Sequence, residues 1–358
     1  MRSFAPASSS SRPAAPPRPR SGRASAGVRS GVILLYHRIA LGSTDPQLLC
    51  VQPAHFAEHL DVLRRWGAPA RVKDVATAAR SPAQPRFAIT FDDGYADNLT
   101  HALPLLERFA APATVFVAGP ASAADVFWWD ELARLLLGPH ALPDPLRFDF
   151  HGSACAEPLG QACTPTAALS HANWTVLDPP PTARHALYLR LCERLRPTPP
   201  DARSACLSSL RAAIEAVSRP RRDSIETDVG HGRPLDPTEI FSLAAGGLVE
   251  IGGHTARHAQ LSALPPALQR SEIETNRRWL AEILGRPATA FAYPFGTRAD
   301  FDETTVSLVR EAGFALACAN FAAPLRATSD RWQLPRLLVR DWDGDLFARK
   351  LAEYWSRD

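Results

Sequence analysis

Phe87-Ala88-Ile89-Thr90-Phe91-Asp92-Asp93-Gly94-Tyr95 is the stretch whose reading decides the fold of this chain. Its first five residues form a short, mostly apolar run that predicts a buried strand. The run stops at two adjacent carboxylates, a glycine and a tyrosine. Neighbouring residues of a strand point to opposite faces. Asp92 and Asp93 can therefore aim at one point only where the strand has ended, and Gly94 permits that sharp exit. Paired carboxylates at the C-terminal ends of strands are where barrel and open-sheet enzymes keep their chemistry. Asp-Gly is also a common turn signal, so the stretch alone leaves a surface turn as an equal reading. A second cluster, His254-Thr255-Ala256-Arg257-His258, favours a site, because it too follows a short apolar stretch, Leu248–Gly253.

Outward from the aspartates the chain alternates. Val32-Ile33-Leu34-Leu35-Tyr36 predicts a buried strand followed directly by His37 and Arg38. Residues 54–66 carry Phe56, Leu60, Leu63 and Trp66 at helical spacing, residues 98–109 read as a second helix, and 113–117 as the next strand. Strand, helix, strand, helix predicts an α/β protein with a parallel sheet or barrel. From 119 to 236 no strand is clear, and a stretch of that length far exceeds an ordinary connection between a strand and a helix. Helical patterns at 128–137, 183–195 and 202–217, separated by proline-rich joints, predict a mostly helical insertion. It could shape a substrate groove, dock a partner or be an excursion without chemistry. At its base, Phe127-Trp128-Trp129-Asp130-Glu131 offers two tryptophans for stacking on a sugar or for packing the insertion. The α/β pattern then resumes with a helix at 237–245, the strand before His254, a long helix at 266–284 and a strand at 289–293 leading into Pro294-Phe295-Gly296. A helix at 301–312, strands at 314–318 and 334–339, and a closing helix at 345–355 complete it.

Composition bounds the function. The chain has 358 residues, room for one large domain or two, and 46% hydrophobic residues, enough for a sizeable core. A net charge of +3, with much of the positive side in the first thirty residues, leaves no basic face to argue for nucleic acid. The six cysteines show neither Cys-x-x-Cys pairs nor a disulfide spacing, which fits a reducing compartment and argues against cysteine as a zinc ligand. No stretch approaches the roughly 18 apolar residues of a membrane span. Residues 1–30, made mostly of Ser, Pro, Ala and Arg, predict a disordered tail. The tail has no apolar segment of the secretory kind, so the expected location is cytoplasmic.

His254 and His258 have the i, i+4 spacing that lets two imidazoles reach one ion. With one carboxylate they make a three-ligand set that leaves a position open, as catalytic zinc requires; ligand softness also admits cobalt, nickel or iron. Such a cation makes water far easier to deprotonate. The second aspartate is then free to take the proton as general base. Spacing alone does not say which aspartate does which.

Thr90-Phe91-Asp92-Asp93-Gly94-Tyr95 together with His254-Thr255-x-x-His258 resembles the polysaccharide deacetylases of the NodB-homology family, carbohydrate esterase family 4. Ala292-Tyr293-Pro294-Phe295-Gly296 resembles that family's third motif, and the three occur in the family's order. The resemblance covers roughly 31–117 and 237–339. It implies a distorted (β/α) barrel, with residues 31–118 and 237–358 as its two parts around the insertion at 119–236. It implies removal of acetyl groups from N-acetylated sugars of a bacterial polysaccharide or its precursor. It places Asp93 on the metal beside His254 and His258, makes Asp92 the base, and sets Tyr293, Pro294 and Phe295 at the substrate, with the Phe295 backbone amide stabilising the oxyanion. Two departures stand out. The arginine that usually opens the third motif is replaced by Ala292; Arg336 is the candidate to take its place beside Asp92 and the substrate, unless it is an ordinary surface arginine. The family's leucine-rich strand ending in histidine is absent after Val339. Leu34-Leu35-Tyr36-His37 is a similar strand at the opposite end of the chain. It resembles the circularly permuted branch that acts on poly-N-acetylglucosamine, and makes His37 the candidate general acid; the alternative is a packed or solvated residue at a strand end. The same site suits O-acetyl esters. A carbohydrate-binding pseudoenzyme is the reading from another class, and the intact Asp92, Asp93, His254 and His258 argue against it.

Overall fold

The structure, a computed structural model, describes residues 29–41, 44–76, 85–120, 126–218, 232–326 and 328–356. Nearly all of the expected tail lies outside the described residues. The main sheet contains β1 (Arg29–Tyr36), β4 (Ala68–Pro69), β5 (Arg86–Phe91), β6 (Ala113–Val117), β9 (Val249–Gly253), β10 (Ala290–Ala292), β11 (Leu316–Cys318), β12 (Leu325–Arg326) and β13 (Leu337–Leu338); β2 (Arg38–Ile39) and β3 (Cys50–Val51) form a small side pair, and β7 (Leu146–Phe150) and β8 (Ser153–Glu157) a hairpin. The order is β11-β10-β9-β6-β5-β1-β12, with β13 also on β1 and β4 on β5. All pairings are parallel except β1 with β12.

Parallel strands need crossovers, and here they are helices that cover one face of the sheet. β5 lies between β1 and β6 and is covered on both sides, so it reads as one continuous apolar run rather than an alternation. β1 shows the two faces clearly. Val32, Leu34 and Tyr36 join a large core with Phe56, Leu60 and Phe91, while Ile33 turns to the opposite face with Ala88, Phe116, Ala292 and Leu316. The sheet curls because one segment touches both of its edges: Leu334 bridges Cys318 of β11, and three residues later Leu337 and Leu338 pair with Leu34 and Leu35 of β1. This is the distorted α/β barrel that the sequence predicts. The expected strand 334–339 shrinks to two residues because Pro335 has no N–H to give a ladder.

The 119–236 stretch carries its own apolar core, built from Leu132, Leu136, Phe148, Leu187, Leu191 and Leu210. Four of its helices span Trp128–Leu137, Pro165–Leu169, Ala183–Leu195 and Pro200–Glu215. The hairpin β7–β8 corrects the expectation of a stretch without clear strands. Leu146, Phe148 and Phe150 are buried while Arg147 and Asp149 are exposed, and His151-Gly152 turns the chain with φ of 55° and 76°, the geometry of a tight two-residue hairpin. The second strand, Ser-Ala-Cys-Ala-Glu, has almost no apolar signal, which hides the pair in the sequence. All six cysteines are free. Among the described residues no helix is long and apolar enough to cross a membrane.

Candidate metal centre and active site

The site forms where β1, β5, β9 and β10 end on the same rim. β5 stops at Phe91, and the Asp92 N–H still donates to the Tyr36 carbonyl at 2.9 Å, so Asp92 remains in line with the strand. Asp93 does not: its φ is 74°. This left-handed kink brings the second carboxylate round beside the first, at a backbone strain that functional sites commonly hold. Gly94 follows with φ of 82°, and a Cβ there would stand 2.9 Å from the Val117 side chain. Any other residue would be both strained and crowded. Beyond β9, Thr255 and His258 also have positive φ, 66° and 49°. The turn that presents the two histidines is therefore irregular rather than a helix.

Asp93, His254 and His258 are buried and offer one ligand atom each, all within 4.8 Å of one another. Asp93 Oδ1 lies 3.4 Å from His254 Nε2 and 3.2 Å from His258 Nε2. Tetrahedral ligands at bond lengths of about 2.0–2.1 Å stand about 3.3–3.4 Å apart, so the three atoms fit one small cation. His254 Nδ1 donates to the Ala292 carbonyl at 2.7 Å, which leaves Nε2 as the lone-pair nitrogen facing Asp93. Burial alone would raise the Asp93 carboxyl; the His254 and His258 rings beside it outweigh this and hold the group well below the usual carboxylate range. Burial lowers His258 to about 4. An anionic oxygen and a neutral imidazole are the donors a divalent cation needs.

Asp92 has a different setting. Arg336 is fully buried and takes both carboxylate oxygens, Nη1 to Oδ1 and Nη2 to Oδ2, each at 2.7 Å. Its Nη1 also donates to Thr90 Oγ1 at 3.1 Å and its Nε to the Ala319 carbonyl at 2.8 Å. Arg336 is therefore neither a surface arginine nor free to hold a substrate, and it stands beside the aspartate where Ala292 cannot. Burial would raise Asp92; the Arg336 charge outweighs it and keeps the carboxyl ionised.

His37 sits one residue past Tyr36, as Asp92 sits one past Phe91, and those two residues are paired in register. Its carbonyl accepts from Asn98 Nδ2 at 2.9 Å. Burial lowers the His37 imidazole, while the charges of Asp93 and then Asp92 act to raise it, so the ring lies in the field of both aspartates. Phe295 has φ of 60° and packs its ring against His258 at 4.7 Å; among the described residues its N–H meets no acceptor. Tyr293 and Pro294 are buried. The Tyr293 ring stacks on Phe301 and its hydroxyl donates to the Trp332 carbonyl, so this side chain packs the core and is not exposed to a substrate.

A sequence model of the family described as "Polysaccharide deacetylase" matches residues 79–142 and 221–317. Over these residues the chain matches the polysaccharide deacetylase family. The Bacillus subtilis protein named "Putative polysaccharide deacetylase YxkH" is 34% identical over 91 residues, covering 24% of this chain and 31% of that protein. Two solved structures share the fold. Streptococcus pyogenes deacetylase PplD in complex with acetate has a TM-score of 0.54 at 16% identity over 93% of this chain and 100% of that one. IcaB from Ammonifex degensii has a TM-score of 0.52 at 17% identity, with coverage of 92% and 99%.

Several residues that shape this site carry no motif. Asn276, on the helix Pro266–Leu284, is fully buried. Its Oδ1 accepts from the His254 N–H, and its Nδ2 donates to the carbonyls of Val117 and Gly119. It ties the His254 strand end to the end of β6. The available signal was a polar residue on the apolar face made by Ile273 and Leu280. Trp129 packs edge-on against His258 at 4.5 Å, whereas Trp128 belongs to the insertion core; the two tryptophans at the base of the insertion thus divide between core and site. Arg196, just past the end of the helix Ala183–Leu195, reaches across from the insertion. It binds both oxygens of the buried Asp300 at 2.5 and 2.6 Å, and its guanidinium lies 4.4 Å over the Phe295 ring.

Proposed function

We propose that the protein is a metal-dependent deacetylase that removes acetyl groups from N-acetylated sugars of a bacterial polysaccharide or its precursor. The observation that carries this reading is the fit of Asp93, His254 and His258 to one small cation beside a separately paired, ionised Asp92. These three residues would hold the metal, zinc or by ligand softness cobalt, nickel or iron. When bound, the cation supplies Lewis acidity at the water and the acetyl carbonyl.

The chain's own groups account for the remaining chemistry. Asp92 accepts the proton of the attacking water; Arg336 keeps it ionised and fixed in orientation. The water oxygen bonds to the acetyl carbon, and the charge that develops on the carbonyl oxygen meets the Phe295 N–H. His37 gives a proton to the sugar nitrogen as the C–N bond breaks, leaving acetate and a free amine. An amine leaves poorly unless protonated, which is why an N-acetyl substrate is preferred over an O-acetyl ester in this reading. The pairing of β1 with β13 supports His37 in the place of the missing C-terminal histidine, as in a circularly permuted chain. The insertion, which overhangs the rim through Trp129 and Arg196, is proposed to form the wall that recognises the polymer.

Metal uptake tests the reading. Purified protein loaded with zinc should hold one equivalent, and His254→Ala should lose it. Full metal content in His254→Ala would show that the cluster is not the metal site.

A further inference from the structure

The two histidines of the centre are held in different ways. His254 is oriented by a hydrogen bond from Nδ1 to the Ala292 carbonyl, whereas His258 Nδ1 is buried and has no partner among the described residues. Its ring is instead gripped by neighbours: Trp129 at 4.5 Å, Phe295 at 4.7 Å and His254 at 4.9 Å. Trp129 is the contact brought by the insertion, and it is itself fixed. Its indole N–H donates to the Tyr95 hydroxyl at 2.8 Å, and that hydroxyl donates to Asp130 Oδ2 at 2.7 Å. Phe127 stacks flat on the indole at 4.9 Å and meets the Tyr95 ring edge-on at 4.7 Å. Tyr95 is the residue after Gly94 and is fully buried, so the chain starts two residues from Asp93.

We propose that Asp130, Tyr95 and Trp129 form a brace that positions the His258 imidazole for metal binding, taking the role that a hydrogen bond to Nδ1 performs at other metal-bound histidines. A metal-bound imidazole needs a fixed ring plane. With no acceptor on Nδ1, the plane of His258 is set by the surfaces against it. The indole is such a surface only while its N–H is held. Tyr95 can both accept from Trp129 and donate to Asp130, so a single hydroxyl locks the aromatic wall to the first turn of the helix Trp128–Leu137. The insertion is then a component of the metal centre as well as a neighbour of it. This inference rests on the metal-site reading above.

The test uses the full-length protein stripped of metal and titrated with zinc by calorimetry, alongside the visible spectrum of the cobalt-loaded form. Tyr95→Phe removes one oxygen from a buried ring and leaves the Trp129 N–H without its acceptor, so the thermal midpoint should fall modestly while the protein stays folded at the titration temperature. Zinc binding should weaken by about tenfold or more, the range seen when outer partners of metal ligands are lost, and the cobalt bands should move. Trp129→Phe, which keeps a ring but loses the N–H, should weaken binding similarly. The double variant should be no worse than either single one, since the residues act as a unit. Wild-type zinc affinity and an unchanged cobalt spectrum in Tyr95→Phe would overturn the brace, as would additive losses in the double variant. A wild-type protein that takes up no zinc would overturn the metal reading and the brace together.

Discussion

Arg336 and Asp92 make the most consequential pair of single residues in the molecule. Both are buried, and the pair is bidentate. Removing one partner of such a pair leaves the other charge unpaired in the interior, at a cost of about 3–5 kcal/mol. Arg336→Met should therefore lower the denaturant midpoint strongly, as measured by urea unfolding. Asp92→Asn keeps the shape but removes the charge that pairs Arg336 and one of its two acceptors, so it too should lower the denaturant midpoint. In the folded variant metal content should persist while kcat falls by about 10²–10⁴; loss of metal would contradict the division of labour between the two aspartates. The residue scale is also where the sequence was most informative. Asp92, Asp93, His254 and His258 were legible because each pair begins where an apolar run ends, and the structure brings them together. Arg336 could be named as a candidate but not ranked, because its partner lies 244 positions away in the chain. Asn276 was not singled out, and Tyr95 was read only as the end of its motif, since a buried hydrogen bond leaves no spacing in the sequence.

His59 shows how elements are joined. It lies on the helix Pro53–Trp66, fully buried, and stacks on Phe347 of the C-terminal helix Gly344–Ser356 with ring centroids 4.1 Å apart. Its Nε2 donates to the Trp342 carbonyl at 2.6 Å and its Nδ1 accepts from the Tyr36 hydroxyl at 3.2 Å, a pattern only the neutral ring can make. Burial lowers it to about 4. The folded value lies below the unfolded one, so the unfolded chain takes up the proton first as pH falls. The stability due to this group is complete above roughly pH 6.5 and declines as pH falls toward 4, by about 3 kcal/mol over the whole window. His59→Gln should flatten that part of the curve in urea midpoints measured between pH 7 and pH 4; an unchanged slope would mean that the ring is not held neutral. Arg196 makes the corresponding join at the site. By pinning Asp300 and covering Phe295, it holds the turn 295–300 against the insertion. Arg196→Ala should reduce kcat several-fold on small and polymeric acetylated substrates alike, measured as acetate release. A loss confined to polymers would make Arg196 a substrate contact instead. Most element positions were legible from periodicity. The exceptions have local causes: Pro335 truncates a strand, the β8 sequence is nearly without apolar residues, and the helix expected at 98–109 opens as a π-helical turn over Asn98–Ala102 ahead of Pro104, from which Asn98 reaches the His37 carbonyl.

At the scale of the whole molecule, two apolar cores meet at one rim. The barrel core and the insertion core are separate clusters, and the contacts between them include the aromatic brace on His258 and the Arg196 bridge to Asp300. The α/β alternation on either side of residues 119–236 made the barrel visible in the sequence. What the insertion does was not visible, because its helices signal only that they bury an apolar face and not which surface they lean on. The placement of Trp129 against a proposed metal ligand gives that stretch a chemical reason to sit where it does. The central proposal is that this rim hydrolyses acetyl groups with the help of a cation held by Asp93, His254 and His258. The most direct measurement is acetate release from N-acetylglucosamine oligomers by chelator-stripped protein, before and after zinc is returned. The account predicts no release from the stripped protein and restored release with zinc. Full activity in the stripped protein, or none in either state across N- and O-acetylated glycans, would contradict it.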